Sequence, residues 1–519
     1  MSTILIINGS RLVSGVQYPG ISSIAAFVKK AGHTFRFFDT AEYAPTVTMK
    51  EQKKPEELIR VQHKLISNKK DGLQKKPLED LLVDLENSVE NCHPDVIGFS
   101  CFTDDWPFTL FLIRDLYDKY PKIPIIVGGV HPTVAPNQVI KHAQVTAVCI
   151  GEGERPIVEL LNSLDKGKID TSIQNFWFRT DQEYIANKTR PALEFTYDTP
   201  FCDWDHYSDL HFMYPYDGKL YRRGSVSLGR GCPNFCTFCI NSFYKNKLYD
   251  FGYKVRIKSL DYVIKEIVHL VNKFELNFLR FWDETFLCVP MDYFRAFAKR
   301  YTNEIGLPFT IETTANSISS EKLQLLVDMG CQSMSLGVET SNEDLRRQVL
   351  KKNISNSCFS KVFTLIDQYK IRKSVNFMFF LPHQTLDDMY QDIRYCREHN
   401  ISIVAPRIFY PYSGTVLRDY CLDNDLVDHA VLEKIENENA IHSLSDLSNK
   451  RVSDQDTVLK FDEKTKQAGK IYLENFFLFQ EIPEWMHGWI YKFLEQKNTI
   501  PKKIVDELLT MVYKKRFGE

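Results

Sequence analysis

Three closely spaced cysteines are the residues of this chain whose types and spacing predict chemistry most directly. Cys232, Cys236 and Cys239 lie in the segment GCPNFCTFC, directly behind a strand-like run at residues 225–228. Three thiolates on one short loop can ligate three irons of a 4Fe-4S cube, which leaves the fourth iron open. A small molecule can chelate that open iron and accept an electron there.

Other uses of these cysteines are less favoured. Structural zinc usually takes four ligands, and no second Cys/His pair follows at zinc-finger spacing. A thioredoxin-like CxxC motif would leave Cys232 without a role. A disulfide framework is disfavoured because the twelve cysteines are otherwise scattered singly and no secretory signal is expected at the start of the chain. Zinc and a chance spacing stay open as alternatives.

The spacing CxxxCxxC, with Phe238 directly before the last cysteine, resembles the signature of the radical S-adenosylmethionine (SAM) enzymes. The resemblance implies that the amine and carboxylate of SAM chelate the open iron, and that one-electron reduction cleaves SAM to a 5'-deoxyadenosyl radical. It also implies that Phe238 contacts SAM and that a flavodoxin- or ferredoxin-type protein donates the electron. Simple packing of Phe238 is the alternative.

The chain after the cysteines repeats a strand-helix unit, as expected for a partial (β/α)6 barrel. The predicted strands lie at residues 278–282, 309–313, 333–338, 375–380 and 403–409. Reactive groups in such barrels lie at the carboxyl ends of the strands, where loops converge. Polar residues of this chain gather at those ends.

Three segments of the barrel region, FWDETF, TIETTAN and SLGVET, resemble SAM-contacting segments of the family. The resemblance implies that SAM is bound by Asp283, Glu312, Gly337, Glu339 and Arg346. Carboxylates suit the cationic amine of the methionyl group and the hydroxyls of ribose. A structural cap for Asp283, and rim ion pairs for Glu312 and Glu339, stay open as alternatives.

The first 160 residues predict a separate α/β domain. Strand-like apolar runs at residues 3–8, 34–38, 95–100, 123–127 and 147–150 alternate with helix-like segments. This alternation favours a parallel, doubly wound, Rossmann-like sheet. Ligands of such sheets bind at the carboxyl ends of the strands, where the glycines of this region fall.

This region resembles the cobalamin-binding domain that precedes one large class of radical SAM enzymes. The similar segments are YPGISSIAAFVKKAGHTFRFFDT, DVIGFS, VGGVHPT and IGEGE. The resemblance implies cobalamin binding by Ser100, Gly128, Gly129, His131, Gly151 and Glu152. The cobalt-ligating histidine of the wider fold is missing, because Thr40, Ala41 and Glu42 follow Asp39, so cobalt would bind without it. Simple tight turns at the glycines, and loss of cobalamin with retention of the fold, stay open.

Length and composition predict a large enzyme of two to four domains. The predicted division is 1–160 for the cobalamin-binding domain, 161–223 for a linker and hairpin, 224–430 for the radical SAM barrel and 431–519 for a mainly helical domain. A net charge of -2 gives no general attraction to nucleic acid. No apolar stretch is long enough to span a membrane, and the unpaired cysteines predict a reducing cytoplasm.

Two further segments have distinctive composition. Residues 49–76 are lysine-rich and are predicted to form a solvated insertion. The segment YLENFFLFQEIPEWMHGWIYKFL is helical in pattern and rich in aromatic residues. Its aromatic residues either pack within a helical domain, line an apolar substrate pocket or touch a membrane surface.

The two resemblances together imply a cobalamin-dependent radical SAM enzyme that methylates an unactivated carbon, or phosphorus, of a small-molecule, lipid-like or natural-product substrate. In that reaction the deoxyadenosyl radical takes a hydrogen atom and methylcobalamin supplies the methyl group. One alternative is a radical SAM cyclase, rearrangement or carbon-coupling enzyme in which cobalamin is absent or donates no methyl group. A cobalamin- or redox-sensing iron-sulfur protein is an alternative of another class.

Overall fold

The computed structural model describes residues 1–10, 16–44, 75–181, 183–216, 219–248, 255–401, 403–446, 456–495 and 507. The lysine-rich segment at 49–76, apart from its last two residues, lies outside them, as does part of the predicted C-terminal domain. Within the described ranges no helix has both the length and the apolar character needed to cross a membrane.

The N-terminal part of the chain forms a seven-stranded sheet with the strand order β2-β1-β5-β6-β7-β8-β9. Its first five strands are parallel, and the last two are antiparallel. The strands are β1 Thr3–Asn8, β2 Thr34–Asp39, β3 Tyr43–Ala44, β4 Lys76–Pro77, β5 Val96–Ser100, β6 Ile125–Gly128, β7 Ala147–Cys149, β8 Phe176–Arg179 and β9 Tyr184–Ala186, of which β3 and β4 pair separately. The helices are α1 Pro19–Lys30, α2 Leu81–Cys92, α3 Trp106–Lys119, α4 Val130–Val134, α5 Pro136–Ile140 and α6 Glu154–Leu164. The predicted doubly wound sheet is confirmed.

The hairpin β8–β9 extends this sheet past residue 160. Phe176 and Phe178 of β8 are buried in the core of the sheet, and Trp177 on the other face stacks on Tyr184 at 5.2 Å. This hairpin, which the sequence predicts as part of the linker region 161–223, is therefore continuous with the first sheet. The predicted domain boundaries themselves stay predictions.

A second seven-stranded sheet, ordered β10-β11-β14-β15-β16-β17-β18, curls into a half-barrel. The six strands from β11 onward are parallel, and β10 runs antiparallel to β11. The strands are β10 Met213–Tyr216, β11 Lys219–Val226, β12 Gly229–Arg230, β13 Arg256–Ile257, β14 Phe278–Phe281, β15 Phe309–Thr313, β16 Cys331–Glu339, β17 Arg372–Phe379 and β18 Ile403–Ile408, of which β12 and β13 pair separately. The helices are α7 Ile240–Phe243, α8 Leu260–Phe274, α9 Met291–Glu304, α10 Ser320–Met329, α11 Glu343–Gln348, α12 Asn356–Gln368 and α13 Leu386–Glu398. The partial (β/α)6 barrel is confirmed.

The two faces of the barrel strands differ in character. On the outer face Ile311, Leu336 and Val375 are fully or almost fully buried in the main hydrophobic core. The alternate residues, such as Glu312 and Asn376, are polar and only partly buried, so they face the concave interior. The interior of the barrel is therefore available to ligands.

The described residues from 416 onward are mainly helical, as predicted for the C-terminal region. The helices are α14 Val416–Asp423, α15 His429–Ile435, α16 Glu463–Glu474, α17 Phe476–Glu481 and α18 Glu484–Glu495. Phe476 of α17 packs against Phe377 and Phe379 on the outer face of β17, at ring distances of 6.2 and 6.0 Å. These aromatic residues therefore extend the barrel core, whereas Trp485 of α18 is 81% exposed.

Candidate functional site

The cysteine loop follows β12 and is fixed by backbone contacts to distant parts of the chain. The amide of Thr237 donates to the carbonyl of Leu350 at 3.0 Å, and its hydroxyl donates to the carbonyl of Val349 at 2.8 Å. The amide of Leu417 donates back to the carbonyl of Thr237 at 2.9 Å. These bonds hold the loop between the segment after β16 and the start of α14.

The three thiols share one electrostatic environment. Lys245, whose ammonium donates to the backbone of the loop, interacts with all three of them. The side-chain amide of Asn234 donates to Sγ of Cys232, and that of Asn241 donates to Sγ of Cys239, each at 3.6 Å. Amide donors of this kind stabilise thiolates that ligate a metal. Burial raises the pKa of the Cys236 thiol to about 12, while the positive charge of Lys352 opposes the rise.

The contacts around the three thiols are those expected of cluster ligands. Among the described residues, no three histidine, cysteine or carboxylate side chains converge on a point that could hold one metal ion. A 4Fe-4S cube needs no such point, because each thiolate ligates a different iron. Three thiols with amide donors and nearby ammonium groups therefore fit the predicted cluster, while the roles of Cys232, Cys236 and Cys239 as its ligands stay predictions.

Asp283 contacts the backbone just before the cysteine loop. Its buried carboxylate accepts hydrogen bonds at 3.0 Å from the backbone amides of Leu228 and Gly229. Burial raises its pKa to about 7, although these amide donors favour the ionised form. Asp283 thus anchors the entry to the loop, and its predicted contact with the SAM amine stays a prediction. The adjacent Glu284 is exposed and acts electrostatically on Cys239.

Gly337 and Glu339 lie next to the cysteine loop, at the carboxyl end of β16. The buried carboxylate of Glu339 forms an ion pair with Lys352 at 2.8 Å, and both charges act on Cys236. A Cβ atom at Gly337 would overlap the Glu339 carboxylate and would lie 2.5 Å from Nζ of Lys352. A side chain at Gly337 would displace this pair, and the two predicted SAM contacts lie together beside the cysteine loop.

The remaining predicted SAM contacts lie in different surroundings. Glu312 faces the barrel interior, is 43% exposed and pairs with Arg280 at 2.5 Å. Phe238 packs partly buried against the hydrophobic cluster that contains Leu350. Arg346 is completely buried, and its guanidinium donates to the carbonyls of Thr340 and Ile354 and to Asn356. Glu312 is accessible to a ligand, whereas Arg346 fixes the segment that follows Glu339, and direct SAM contacts of all three stay predictions.

The predicted cobalamin residues gather at the carboxyl edge of the first sheet, where the strand order reverses between β1 and β5. Ser100 ends β5, and Gly128 ends β6 in register with it. Gly129 has a positive φ of 106°, and a Cβ atom there would lie 2.7 Å from the carbonyl oxygen of Cys101. The turn after β6 therefore requires glycine and leaves an edge at which backbone is accessible.

His131 is a buried side chain at this edge. It is 2% exposed, and neither ring nitrogen has a hydrogen-bond partner within the described residues. Burial lowers its pKa to about 4. The ring packs 5.1 Å from Trp106 and lines a cleft with Thr103, Gln138 and Tyr410. A buried imidazole without a partner fits a site for a polar group of a bound ligand.

Gly151 and Glu152 follow β7 and have different roles. The amide of Gly151, which has a positive φ of 76°, donates to the hydroxyl of Thr133 at 3.0 Å. The carboxylate of Glu152 accepts from Arg230 at 2.9 Å and from Arg256 at 2.9 and 3.1 Å. Glu152 therefore joins the first sheet to the cysteine loop, and its contact with cobalamin stays a prediction.

Sequence reasoning did not identify several residues of this site. Lys352, Lys245 and Arg230 belong to no motif of the chain. Lys352 and Lys245 bind groups 13 and 11 residues away, whereas Arg230 binds Glu152, 78 residues away. Arg230 and Lys245 lie near the cysteines in the sequence, and Lys352 follows SLGVET. This proximity was the one signal that could have identified them. A fourth residue, His211, forms a buried pair with Asp39 at 2.6 Å. Asp39 therefore does bind a histidine, although that histidine comes from the linker.

Comparison with known proteins agrees with this arrangement. Residues 226–396 match the family model of the radical SAM superfamily, and residues 72–161 match that of the B12 binding domain. The uncharacterized methyltransferase PH0819 of Pyrococcus horikoshii is 22% identical over 67% of this chain and 74% of its own length. The cytidylyl-2-hydroxyethylphosphonate methyltransferase of Streptomyces wedmorensis is 20% identical over 66% of this chain and 70% of its own length.

A solved structure shares the fold across the whole chain. The cobalamin-dependent SAM radical enzyme OxsB, with aqua-cobalamin and SAM bound, has a TM-score of 0.64 and 13% identity over 100% of this chain and 72% of its own. The cysteine loop lies inside one family match, and the loops that end β5, β6 and β7 lie inside the other. This chain therefore belongs to the cobalamin-binding radical SAM enzymes, whose cofactors are a 4Fe-4S cluster, SAM and cobalamin.

Proposed function

We propose that this enzyme methylates carbon or phosphorus of a small-molecule substrate in a cobalamin-dependent radical SAM reaction. One observation carries the proposal: Glu152, at the predicted cobalamin edge, is bonded directly to Arg230, two residues before Cys232. A substrate that is activated at one site and methylated at the other must face both. The bond between the two loops supports one shared cavity.

When bound, the cluster with SAM supplies a hydrogen-abstracting radical, and cobalamin supplies the methyl group. The residues of the chain hold these groups. Asn234 and Asn241 orient the thiols, and Lys352 forms an ion pair with the carboxylate of Glu339 beside them.

We further propose that a flavodoxin- or ferredoxin-type protein reduces the cluster. Phe235 in the cysteine loop is 55% exposed, and the ammonium of Lys245 lies 4.1 Å from its ring centre. An exposed aromatic ring with a cation suits an acidic redox partner. Each of the twelve cysteines is a free thiol, which supports a reducing, cytoplasmic location.

The test uses anaerobically reconstituted protein with SAM that carries a deuterated methyl group. We expect 5'-deoxyadenosine on reduction, uptake of hydroxocobalamin and transfer of the label to a product. Cys236→Ala is expected to abolish deoxyadenosine formation, whereas Cys358→Ala, at a cysteine outside the loop, is expected to retain it. Formation of deoxyadenosine without label transfer would favour the cyclase or coupling alternative. Absence of 5'-deoxyadenosine under every reductant would refute the enzyme function and favour a sensor protein.

A further inference from the structure

The amino-terminal end of the barrel interior is closed by a floor of aromatic rings. Tyr214, Tyr216 and Tyr221 surround Phe278, with ring centres 5.8, 5.3 and 5.0 Å from it. Phe278 is completely buried, so this end of the barrel does not open to solvent at that point. A substrate in the barrel would rest above these rings.

Three arginines lie on aromatic faces at or just above this floor. The guanidinium of Arg223 lies 3.6 Å from the ring centre of Tyr214, and that of Arg372 lies 5.3 Å from the ring centre of Tyr216. Arg280, which is in register with Arg372 through β15 and β16, lies 3.6 Å from the ring centre of Trp282. Stacking holds a guanidinium through its flat face and leaves its in-plane N–H groups directed sideways. Those groups form the planar fork that binds carboxylate and phosphate.

The strand register places hydroxyl groups at the same level. The residues in register across five neighbouring strands are Ser225, Arg280, Thr310, Ser333 and Arg372. Residues in register on parallel strands project from the same face of a sheet. Each of these five side chains can donate a hydrogen bond, and none is a carboxylate. We call this set the donor row.

Two buried donors, one in the donor row and one beside it, lack partners among the described residues. Ser225 is 7% exposed, and its hydroxyl has no hydrogen-bond partner among the described residues. The same holds for the buried indole N–H of Trp282. A buried polar group without a partner is rare in folded proteins and indicates a missing ligand or water. Arg280 donates to Glu312 through one nitrogen alone within the described chain, so its other donors can serve a ligand.

From these contacts we propose that the donor row binds an oxyanion of the substrate, either a carboxylate or a phosphoryl-type group. Burial lowers the pKa of Arg223 to about 10, and the nearby charge of Arg280 adds to the effect. A bound anion would stabilise the guanidinium of Arg280. This assignment rests on the proposed function, because it gives the barrel interior to the substrate.

The strands also set the size of the substrate. Ser333 and Gly337 both face the interior and are four residues apart on β16, which corresponds to about 13 Å along the strand. Gly337 lies beside Glu339 and the cysteine loop. The anionic group of the substrate therefore lies about 13 Å from the level at which SAM is predicted to bind. A molecule of extended shape, with the anion at one end, meets this requirement.

The test is equilibrium binding of methylphosphonate and of acetate to the full-length, cluster-reconstituted protein, measured by calorimetry. We expect saturable binding of at least one probe, and the tighter probe identifies the oxyanion. Arg280→Met should weaken binding at least tenfold, and Ser225→Ala should weaken it several-fold. Arg295→Met on the outer face of α9, whose arginine pairs with Asp292 and Glu321, should leave binding unchanged.

Failure of both probes to bind the wild-type protein, or equal binding by wild type and Arg280→Met, would overturn the proposal. If Arg280→Met does not fold, Arg280→Lys replaces it, because lysine keeps the charge but loses the planar fork. A decrease of several-fold is then expected, and unchanged affinity would count against the site. Binding is measured without SAM or turnover, so its failure is distinct from failure of methyl transfer.

Discussion

Glu152 accepts hydrogen bonds from Arg230 at 2.9 Å, and thereby ties the loop after β7 to the loop that carries the three cysteines. The carboxylate is 20% exposed and the guanidinium 26% exposed, so the pair is largely removed from water. Burial opposes ionisation of Glu152, but Arg230 and Arg256 outweigh it and hold the pKa of Glu152 below its ordinary value. The pair is one of several contacts that join the two predicted cofactor sites, together with the bonds of Arg230 to Ser23 and Glu154.

Glu152→Gln should separate the two halves of the reaction. Loss of the carboxylate leaves two largely buried guanidiniums with fewer partners, and we expect a loss of about 3 kcal/mol in the free energy of unfolding. Methyl transfer should fall more than deoxyadenosine formation, because the cysteine loop keeps its contacts to Val349 and Leu350. Glu159→Gln removes the carboxylate of an exposed pair and should change stability by less than about 1 kcal/mol. Equal effects of the two variants on urea unfolding would contradict this role.

Asn241→Ala should alter the cluster without removing a ligand. The side-chain amide donates to Sγ of Cys239, and loss of such a donor leaves more negative charge on the thiolate. We expect a lower reduction potential of the cluster and a decrease of roughly 10- to 100-fold in deoxyadenosine formation. A redox titration followed by electron paramagnetic resonance measures the potential. Asn439→Ala, far from the cysteines in sequence and on the surface, serves as the control, and a potential shifted equally in both variants would exclude the bond as its cause.

Lys352 and Lys351 offer a matched pair of adjacent lysines. Lys352 is 8% exposed and neutralises the buried Glu339, whereas Lys351 is exposed. Lys352→Met leaves a buried carboxylate without its partner, and we expect a loss of about 3 kcal/mol in stability together with weaker SAM binding. Lys351→Met should stay within about 0.5 kcal/mol of the wild type. Chemical denaturation and SAM titration measure both quantities, and comparable losses in the two variants would argue against the ion pair.

His131 should make the protein less stable in mild acid. Its pKa falls from the ordinary value of 6.5 to about 4 on folding, because burial disfavours the charged form. Between these values the unfolded chain binds a proton that the folded chain does not, so stability falls as the pH drops below 6.5. From pH 7 to pH 5 the loss amounts to about 2 kcal/mol.

His131→Gln should remove this part of the acid sensitivity, and His429→Gln, at an exposed histidine, should not. Urea unfolding at pH 7 and pH 5 for the three proteins measures the difference. An identical pH dependence in wild type and His131→Gln would mean that other groups cause the loss.

The strands were predictable because apolar runs of limited length form buried strands whatever lies around them. Residues 3–8 and 309–313 form strands with the bounds that the sequence predicts. Strand β11 begins earlier than predicted, at Lys219, because pairing with β10 extends the polar segment KLYRR into the sheet. Such pairing depends on a neighbouring strand and leaves no trace in local hydrophobicity.

The site was predictable only in its motifs. The cysteines and SLGVET follow from short patterns, whereas the ion pair of Glu339 with Lys352 and the bonds of Asp283 to the loop depend on contacts between separate segments. Local patterns carry no information about which distant group meets a carboxylate. The contact of Glu152 with Arg230 joins residues 78 positions apart and was inaccessible for the same reason.

The bonds made by Thr237 have a consequence for how the enzyme matures. Its partners Leu350 and Leu417 lie far along the chain, so the loop reaches its final shape only after most of the barrel has been synthesised and folded. Iron and sulfide should therefore enter a nearly complete polypeptide, and a chain that ends before α14 should acquire its cluster poorly. The hydrogen bonds of Thr237 therefore place cluster insertion after the synthesis of the barrel.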